Sequence, residues 1–179
     1  VEKRDVFLDD QDYNIFLYYL FIYTSPVNHV LAKYPFFPIR LQSKNLSKEV
    51  ELITYCLMPN HFHLLLFQKT KDGISKLIKQ ITNGYTLYFN KKYKRVGGLF
   101  QGTFKAVYVA NNEQLLHLSR YIHLNPLVSK IIKDINDYKY SSYHSYVGKN
   151  SVLPCSKQII LSNFSRKYSY KNFLLNQVD

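Results

Sequence analysis

Two histidines one residue apart, His61 and His63, are the residues in this chain best placed to do chemistry. They stand in an apolar run from 54 to 67 that reads Thr-Tyr-Cys-Leu-Met-Pro-Asn-His-Phe-His-Leu-Leu-Leu-Phe. Side chains alternate along a strand, so His61 and His63 share a face and Phe62 takes the other. The two imidazoles are then expected roughly 6 to 7 Å apart, a gap that one metal ion bridges. Neutral imidazole is the commonest protein metal ligand. A lone histidine on a half-buried strand is usually a hydrogen-bonded structural residue, so the pair by itself leaves both roles open.

A second group lies at 120 to 126, Arg-Tyr-Ile-His-Leu-Asn-Pro. Residues i and i+4 share a helical face, which pairs Tyr121 with Asn125. His117 lies one turn earlier on that face, and His123 points elsewhere. A phenol and an amide oxygen on such a helix can meet two imidazoles on a strand. Mixed imidazole and oxygen ligands with open positions suit Mg²⁺ or Mn²⁺ bound to a substrate phosphate. The ordinary roles compete: most of the 17 tyrosines must pack or face solvent, and Asn125 before Pro126 reads equally as a helix C-cap. Spacing alone does not select Tyr121 over Tyr85, Tyr88, Tyr93 or Tyr108.

Length and composition narrow the setting. The 179 residues suffice for one domain with a real core, and 46% hydrophobic content predicts a globular chain. A formal net charge of +12 points to a polyanionic partner, most simply nucleic acid. Lys91, Lys92, Lys94, Arg95 and Lys105 lie between the two groups in sequence and are the candidate phosphate contacts. Each phosphate neutralised on a single strand adds roughly 0.7 to the salt slope. Tyr88, Tyr93, Phe100 and Phe104 are candidates for base stacking, with at least half expected in the core. Cys56 and Cys155 are far apart and form no CxxC, which argues against a disulfide framework or a cysteine zinc site. No run approaches a membrane span and no signal peptide is visible, so a cytoplasmic protein is expected.

The elements that must position these residues follow from pattern. Acidic residues at 9 to 12 open a helix over about 10 to 23, ended by Ser25 and Pro26. Residues 34 to 48 read as a loop with room for a short strand at 37 to 41. A strand over 49 to 57, a turn at Met58, Pro59 and Asn60, and a strand over 61 to 68 make a hairpin that presents the histidines. Helical periodicity spans 73 to 94. A loop at 99 to 104 leads into a strand at 105 to 109. Asn111 or Asn112 caps the next helix, which Pro126 ends. Residues 138 to 147 form a short helix or turn, and 156 to 179 a basic tail with one short helix. The pattern is α+β with an antiparallel sheet.

Met-Pro-Asn-His-Phe-His-Leu-Leu-Leu at 58 to 66, Gly-Leu-Phe-Gln-Gly at 98 to 102 and the segment at 120 to 126 occur in order, with Tyr85, Tyr88, Phe89, Asn90 and Tyr93 between them. Together they resemble the IS200-like transposase family, especially its REP-associated tyrosine transposase branch, from about residue 6 to 146. The resemblance implies an HUH single-tyrosine nuclease that cuts and rejoins hairpin-flanked single-stranded DNA through a 5′-phosphotyrosine. It implies His61 and His63 as metal ligands, Asn125 as the third, Tyr121 as nucleophile and Mg²⁺ or Mn²⁺ as cofactor. It implies a ferredoxin-like sheet, a transposase domain over 1 to 150, a basic extension over 151 to 179, and a monomer or homodimer. His117 is a candidate to orient or deprotonate Tyr121.

The sequence departs from the family pattern in three places. The usual first strand, before residue 3, is absent, so the sheet is expected to lack a member or to borrow one from another chain. Thr103 stands where the family commonly has Arg, and the loop over 34 to 48 is long. Two other function classes compete. A non-catalytic hairpin DNA or RNA binder would need no metal and form no adduct. A zinc phosphohydrolase would use water in place of Tyr121, but few further His, Asp or Glu residues lie near the motifs.

Overall fold

The expected hairpin forms: β1 (Val50–Met58), buried almost throughout, and β2 (His61–Gln68) make a two-stranded antiparallel sheet. The computed structural model describes residues 4–149, 153–165 and 169–176. The described helices are α1 (Asp10–Thr24), α2 (Val27–Lys33), α3 (Ile39–Gln42), α4 (Gly73–Lys92), α5 (Asn112–Val128), a 3₁₀ turn (Ile135–Asp137), α6 (Tyr143–Tyr146), α7 (Gln158–Leu161) and α8 (Tyr170–Leu175). The class is α+β. None of the described helices is long and apolar enough to cross a membrane. The chain divides into two compact units, Val1–Glu51 with Leu66–Ala106 and Leu52–Leu65 with Val107–Asp179. The hairpin base therefore belongs to the first and its tip to the second.

In the first unit α1 packs on α4. Asp9 caps α1 by accepting from the Asp12 N–H at 3.1 Å, and Asp12 reaches back to accept from the Leu8 N–H at 2.8 Å, a reciprocal cap. Phe7, Phe16 and Tyr85 cluster with ring centroids 5.3 Å apart, and the Tyr85 hydroxyl donates to the Val6 carbonyl. Gly73, which opens α4, sits where an added Cβ would lie 2.9 Å from Val50 Cγ2 and 3.1 Å from the Glu49 carbonyl oxygen, so only glycine lets the helix start so close to β1.

In the second unit a buried hydrogen-bond chain ties α5 to the hairpin tip. The Tyr55 N–H donates to Ser142 Oγ at 3.0 Å, and Ser142 lies 2.7 Å from His123 Nε2. His123 Nδ1 lies 2.8 Å from the Tyr170 hydroxyl, which donates to Ser119 Oγ at 3.1 Å. Ser119 donates to the Leu116 carbonyl, and that direction settles the tautomer: His123 donates through Nδ1 and accepts from Ser142 at Nε2. The segment around Ser141 bridges to Cys56, and Tyr146 donates to the Ile53 carbonyl. From the C-terminal part of the chain, Ile160, Tyr170 and Leu174 are buried.

Several sequence expectations are corrected. Residues 37 to 41 hold α3 where a strand was allowed, because Pro38 fixes its own φ at the start of a turn and its carbonyl accepts from Leu41 and Gln42. Pro26 closes α1 and also opens α2, with its carbonyl accepting from His29 and Val30. The expected strand at 105 to 109 does not form. The sheet of the described residues has only β1 and β2, so its N–H and C=O groups have no ladder partner, and Val107 and Tyr108 are exposed. Helix α5 runs past Pro126, which forgoes only its own missing donor. Lys130, at φ 57°, ends it with the Ile131 N–H on the Pro126 carbonyl and the Lys130 N–H on the Leu127 carbonyl. The tail carries two short helices, α7 and α8, where one was expected.

Burial pushes the His123 pKa down to about 3, so it is neutral in the fold. Between that value and the ordinary 6.5 the unfolded chain binds a proton that the folded chain refuses. Its contribution is complete above pH 6.5 and is lost as pH falls toward 3. Urea titrations across this range should show unfolding free energy falling with acid. In His123→Gln the slope should be shallower by about one proton, or about 1.4 kcal/mol per pH unit. An unchanged slope would show that His123 is not the buried neutral group.

Candidate functional site

The tip of the hairpin and one face of α5, both in the second unit, bring the two sequence groups together. His61 and His63 open β2 on one face, and their rings turn toward each other so that the two Nε2 atoms are 3.0 Å apart. Asn60, the last turn residue, holds His61 from behind: Asn60 Oδ1 lies 2.6 Å from His61 Nδ1. An amide oxygen only accepts, so His61 Nδ1 donates to it, and in the neutral ring the lone pair is then on Nε2, which faces His63. From α5, the Asn125 amide reaches His63 Nε2 at 3.2 Å, and its other end takes the Ser129 hydroxyl at 3.2 Å. The Tyr121 ring meets His63 edge to face, with centroids 5.4 Å apart.

Three side-chain atoms therefore converge with separations of 3.0 and 3.2 Å. Adjacent ligands on an octahedral ion with bonds of about 2.1 Å lie about 3.0 Å apart, so the spacing fits one ion of that size. A half-turn of the Asn125 amide puts its oxygen toward the histidines and its NH₂ on Ser129. The donor set is then two imidazole nitrogens and one amide oxygen. Among the described residues no three His, Cys, Asp or Glu side chains gather, which speaks against a closed structural zinc site and for an ion with open positions. Burial, then the neighbouring His61, pushes the His63 pKa down to about 4, which keeps its lone pair available at neutral pH.

Tyr121 is 54% exposed, and no described residue hydrogen-bonds to its hydroxyl. It lies in an open groove of about 440 Å³ along α5, with Gln114, Leu118, Leu124 and Asn125. His117 shares this face but is committed elsewhere: its Nδ1 accepts from the Arg120 guanidinium at 2.6 Å, and Arg120 stacks over Phe173 at 4.4 Å. The geometry gives His117 no part in orienting Tyr121. His123 points into the core, as its helical position implied.

The basic residues, all in the first unit, differ among themselves. Lys91, Lys94 and Lys105 are exposed. Arg95 lies over the Phe89 ring at 5.6 Å. Lys92 is held: its ammonium contacts Asp9 at 2.7 Å and the fully buried Asp12 at 2.8 Å, and Tyr88 and Tyr93 donate to Asp12 at 2.9 and 2.8 Å. Burial opposes the Asp12 charge, but hydrogen bonds from Lys92, the Leu8 N–H, Tyr93 and Tyr88 hold its pKa below the ordinary carboxylate value. Tyr88 and Tyr93 thus serve this cluster and not base stacking. Asn60 and Ser129 escaped the sequence reading, although Asn60 directly precedes the histidine pair and Ser129 lies at i+4 from Asn125.

Residues 39–125 match the family described as Transposase IS200 like. The chain carries an IS200-like transposase domain. That domain spans the hairpin, α4 and α5 as far as Asn125, and so includes both halves of the site. The chain is also similar to a Haemophilus influenzae protein named "Putative REP-associated tyrosine transposase", 28% identical over 105 residues, which are 52% of this chain and 59% of that protein. The chain thus spans less than two thirds of this relative's length. No solved structure matches it.

The Lys92 cluster predicts a contrast within the transposase domain. Lys92→Ala strands the Asp12 carboxylate and should lower unfolding free energy by about 2 to 3 kcal/mol in urea, whereas Lys91→Ala should stay within about 0.5 kcal/mol. Equal effects would contradict the ion-pair assignment.

Proposed function

We propose that this chain is a metal-dependent transposase-like nuclease that cleaves and rejoins single-stranded DNA at hairpin-flanked sites through Tyr121. The observation that carries this reading is that His63 Nε2 lies 3.0 Å from His61 Nε2 and 3.2 Å from the Asn125 amide, with the Tyr121 ring against His63. Membership of the domain in the IS200-like transposase family supports it.

In this reading His61, His63 and Asn125 hold one Mg²⁺ or Mn²⁺, which when bound would polarise the scissile phosphate and offset charge that develops there. Asn60 keeps His61 in the ligating tautomer. Tyr121 lies in an open groove, where its hydroxyl is accessible to a phosphodiester. The Tyr121 oxygen bonds to phosphorus as the bond from phosphorus to the 3′ oxygen breaks, and the phenolic proton passes through solvent to that oxygen. The products are a 5′-phosphotyrosine and a free 3′-OH. One phosphodiester replaces another, so the 3′-OH of a second strand reverses the step and joins DNA. Lys91, Lys94 and Lys105 offer exposed charge to the backbone phosphates. The working form is a monomer or homodimer in the cytoplasm.

A 3′-labelled single-stranded hairpin library incubated with Mn²⁺ should give a labelled protein adduct on a denaturing gel. The adduct should vanish in Tyr121→Phe and with EDTA. Cleavage that persists in Tyr121→Phe would instead establish a water nucleophile, and binding with no cleavage would establish a non-catalytic binder. Asn60→Ala should weaken Mn²⁺ binding by about 10- to 100-fold in calorimetry while leaving the thermal midpoint near that of the parent. Unchanged affinity would remove Asn60 from the site.

A further inference from the structure

The segment between α1 and β1 carries a second surface in the first unit. Phe36 is 98% exposed and Ile39 82%, the former the most exposed large apolar side chain described. Phe36 is displayed by a fixed turn. Pro35 and Pro38 flank it, the Phe37 N–H donates to the Tyr34 carbonyl at 3.0 Å, and Gln42 Nε2 donates to the Phe37 carbonyl at 2.9 Å. The Phe37 side chain is buried and anchors the turn from below. Beside it Tyr18, Tyr34 and Phe37 line an open cavity of about 320 Å³. Lys33 lies at its edge, with its ammonium 5.0 Å from the Phe21 ring centroid and 5.8 Å from that of Tyr34.

The charge along this segment has one sign. No Asp or Glu occurs between Asp12 and Glu49, whereas Lys33, Arg40, Lys44 and Lys48 do, and all four are exposed. A rigidly presented aromatic ring within an acid-free basic segment matches the chemistry of unpaired bases on a phosphate backbone. We infer that Phe36 is a base-stacking platform for single-stranded DNA, with Lys33 and Arg40 meeting the flanking phosphates. This rests on the reading that the chain handles single-stranded DNA, and adds a contact surface apart from the residues that cut it. It also accounts for Phe36, which stays 98% exposed among the described residues.

The protein contains no tryptophan, so Phe36→Trp in the full chain is a unique fluorescent reporter at an exposed position where neither it nor Phe36→Ala should disturb folding. Single-stranded oligothymidine should quench that tryptophan. Phe36→Ala should bind the same oligonucleotide about 5- to 150-fold more weakly by anisotropy, and a duplex of equal length as well as the parent. Unchanged fluorescence while anisotropy shows saturation would overturn the platform and leave the DNA reading intact. Failure of the parent chain to bind oligonucleotide at all would overturn both. A spectral response to phosphatidylglycerol vesicles but not to oligonucleotide would overturn the platform in favour of a lipid surface.

Discussion

The placement of α5 against the hairpin tip depends on a buried histidine that bonds at both ring nitrogens. His123 receives the Ser142 hydroxyl on one side and donates to Tyr170 on the other, and Ser142 is fixed by the Tyr55 N–H of β1. Such a group is costly to bury unless both nitrogens are satisfied, so the helix has one rotation in which it is stable. Two residues either way along a helix is about 200° of turn, so an inward His123 directs Tyr121 and Asn125 to the opposite side. A core requirement thereby fixes the orientation of the residues that make up the site.

The site itself is economical in charge. Burial keeps the His63 pKa low, and Asn60 Oδ1 faces His61 Nδ1, so the proposed donors are imidazole nitrogens and an amide oxygen. A cation held by neutral donors keeps its full charge for a phosphate, which suits phosphoryl chemistry better than a site that neutralises its own ion. The chain's excess of positive charge lies elsewhere, and part of it is structural: Lys92 neutralises the buried Asp12 and is not available to a ligand.

What the sequence reveals here depends on whether the signal is local. The hairpin, α1, α4 and the start of α5 follow from periodicity and caps, and the i, i+4 pairing of Tyr121 with Asn125 needs only a helix. The His61 and His63 pair was legible for the same reason. The failures concern partners distant in sequence. Residues 105 to 109 have strand chemistry and no ladder to join. Pro126 breaks one hydrogen bond but not the helix, which runs on to Val128 and which Lys130 closes four residues after the proline. Lys92 looks like any surface lysine until Asp12, eighty residues earlier, is folded beneath it. His117 shares the face of Tyr121, yet Arg120 claims it, a competition that spacing does not show.

The central claim is that His61, His63 and Asn125 hold one ion beside Tyr121. Anomalous diffraction from crystals of this chain soaked in Mn²⁺ tests it most directly. One strong peak is expected about 2.0 to 2.2 Å from both Nε2 atoms and from the Asn125 side-chain oxygen, with the amide turned to place its NH₂ on Ser129. A manganese peak bound elsewhere, with the two histidines still 3.0 Å apart and bonded to each other, would contradict it.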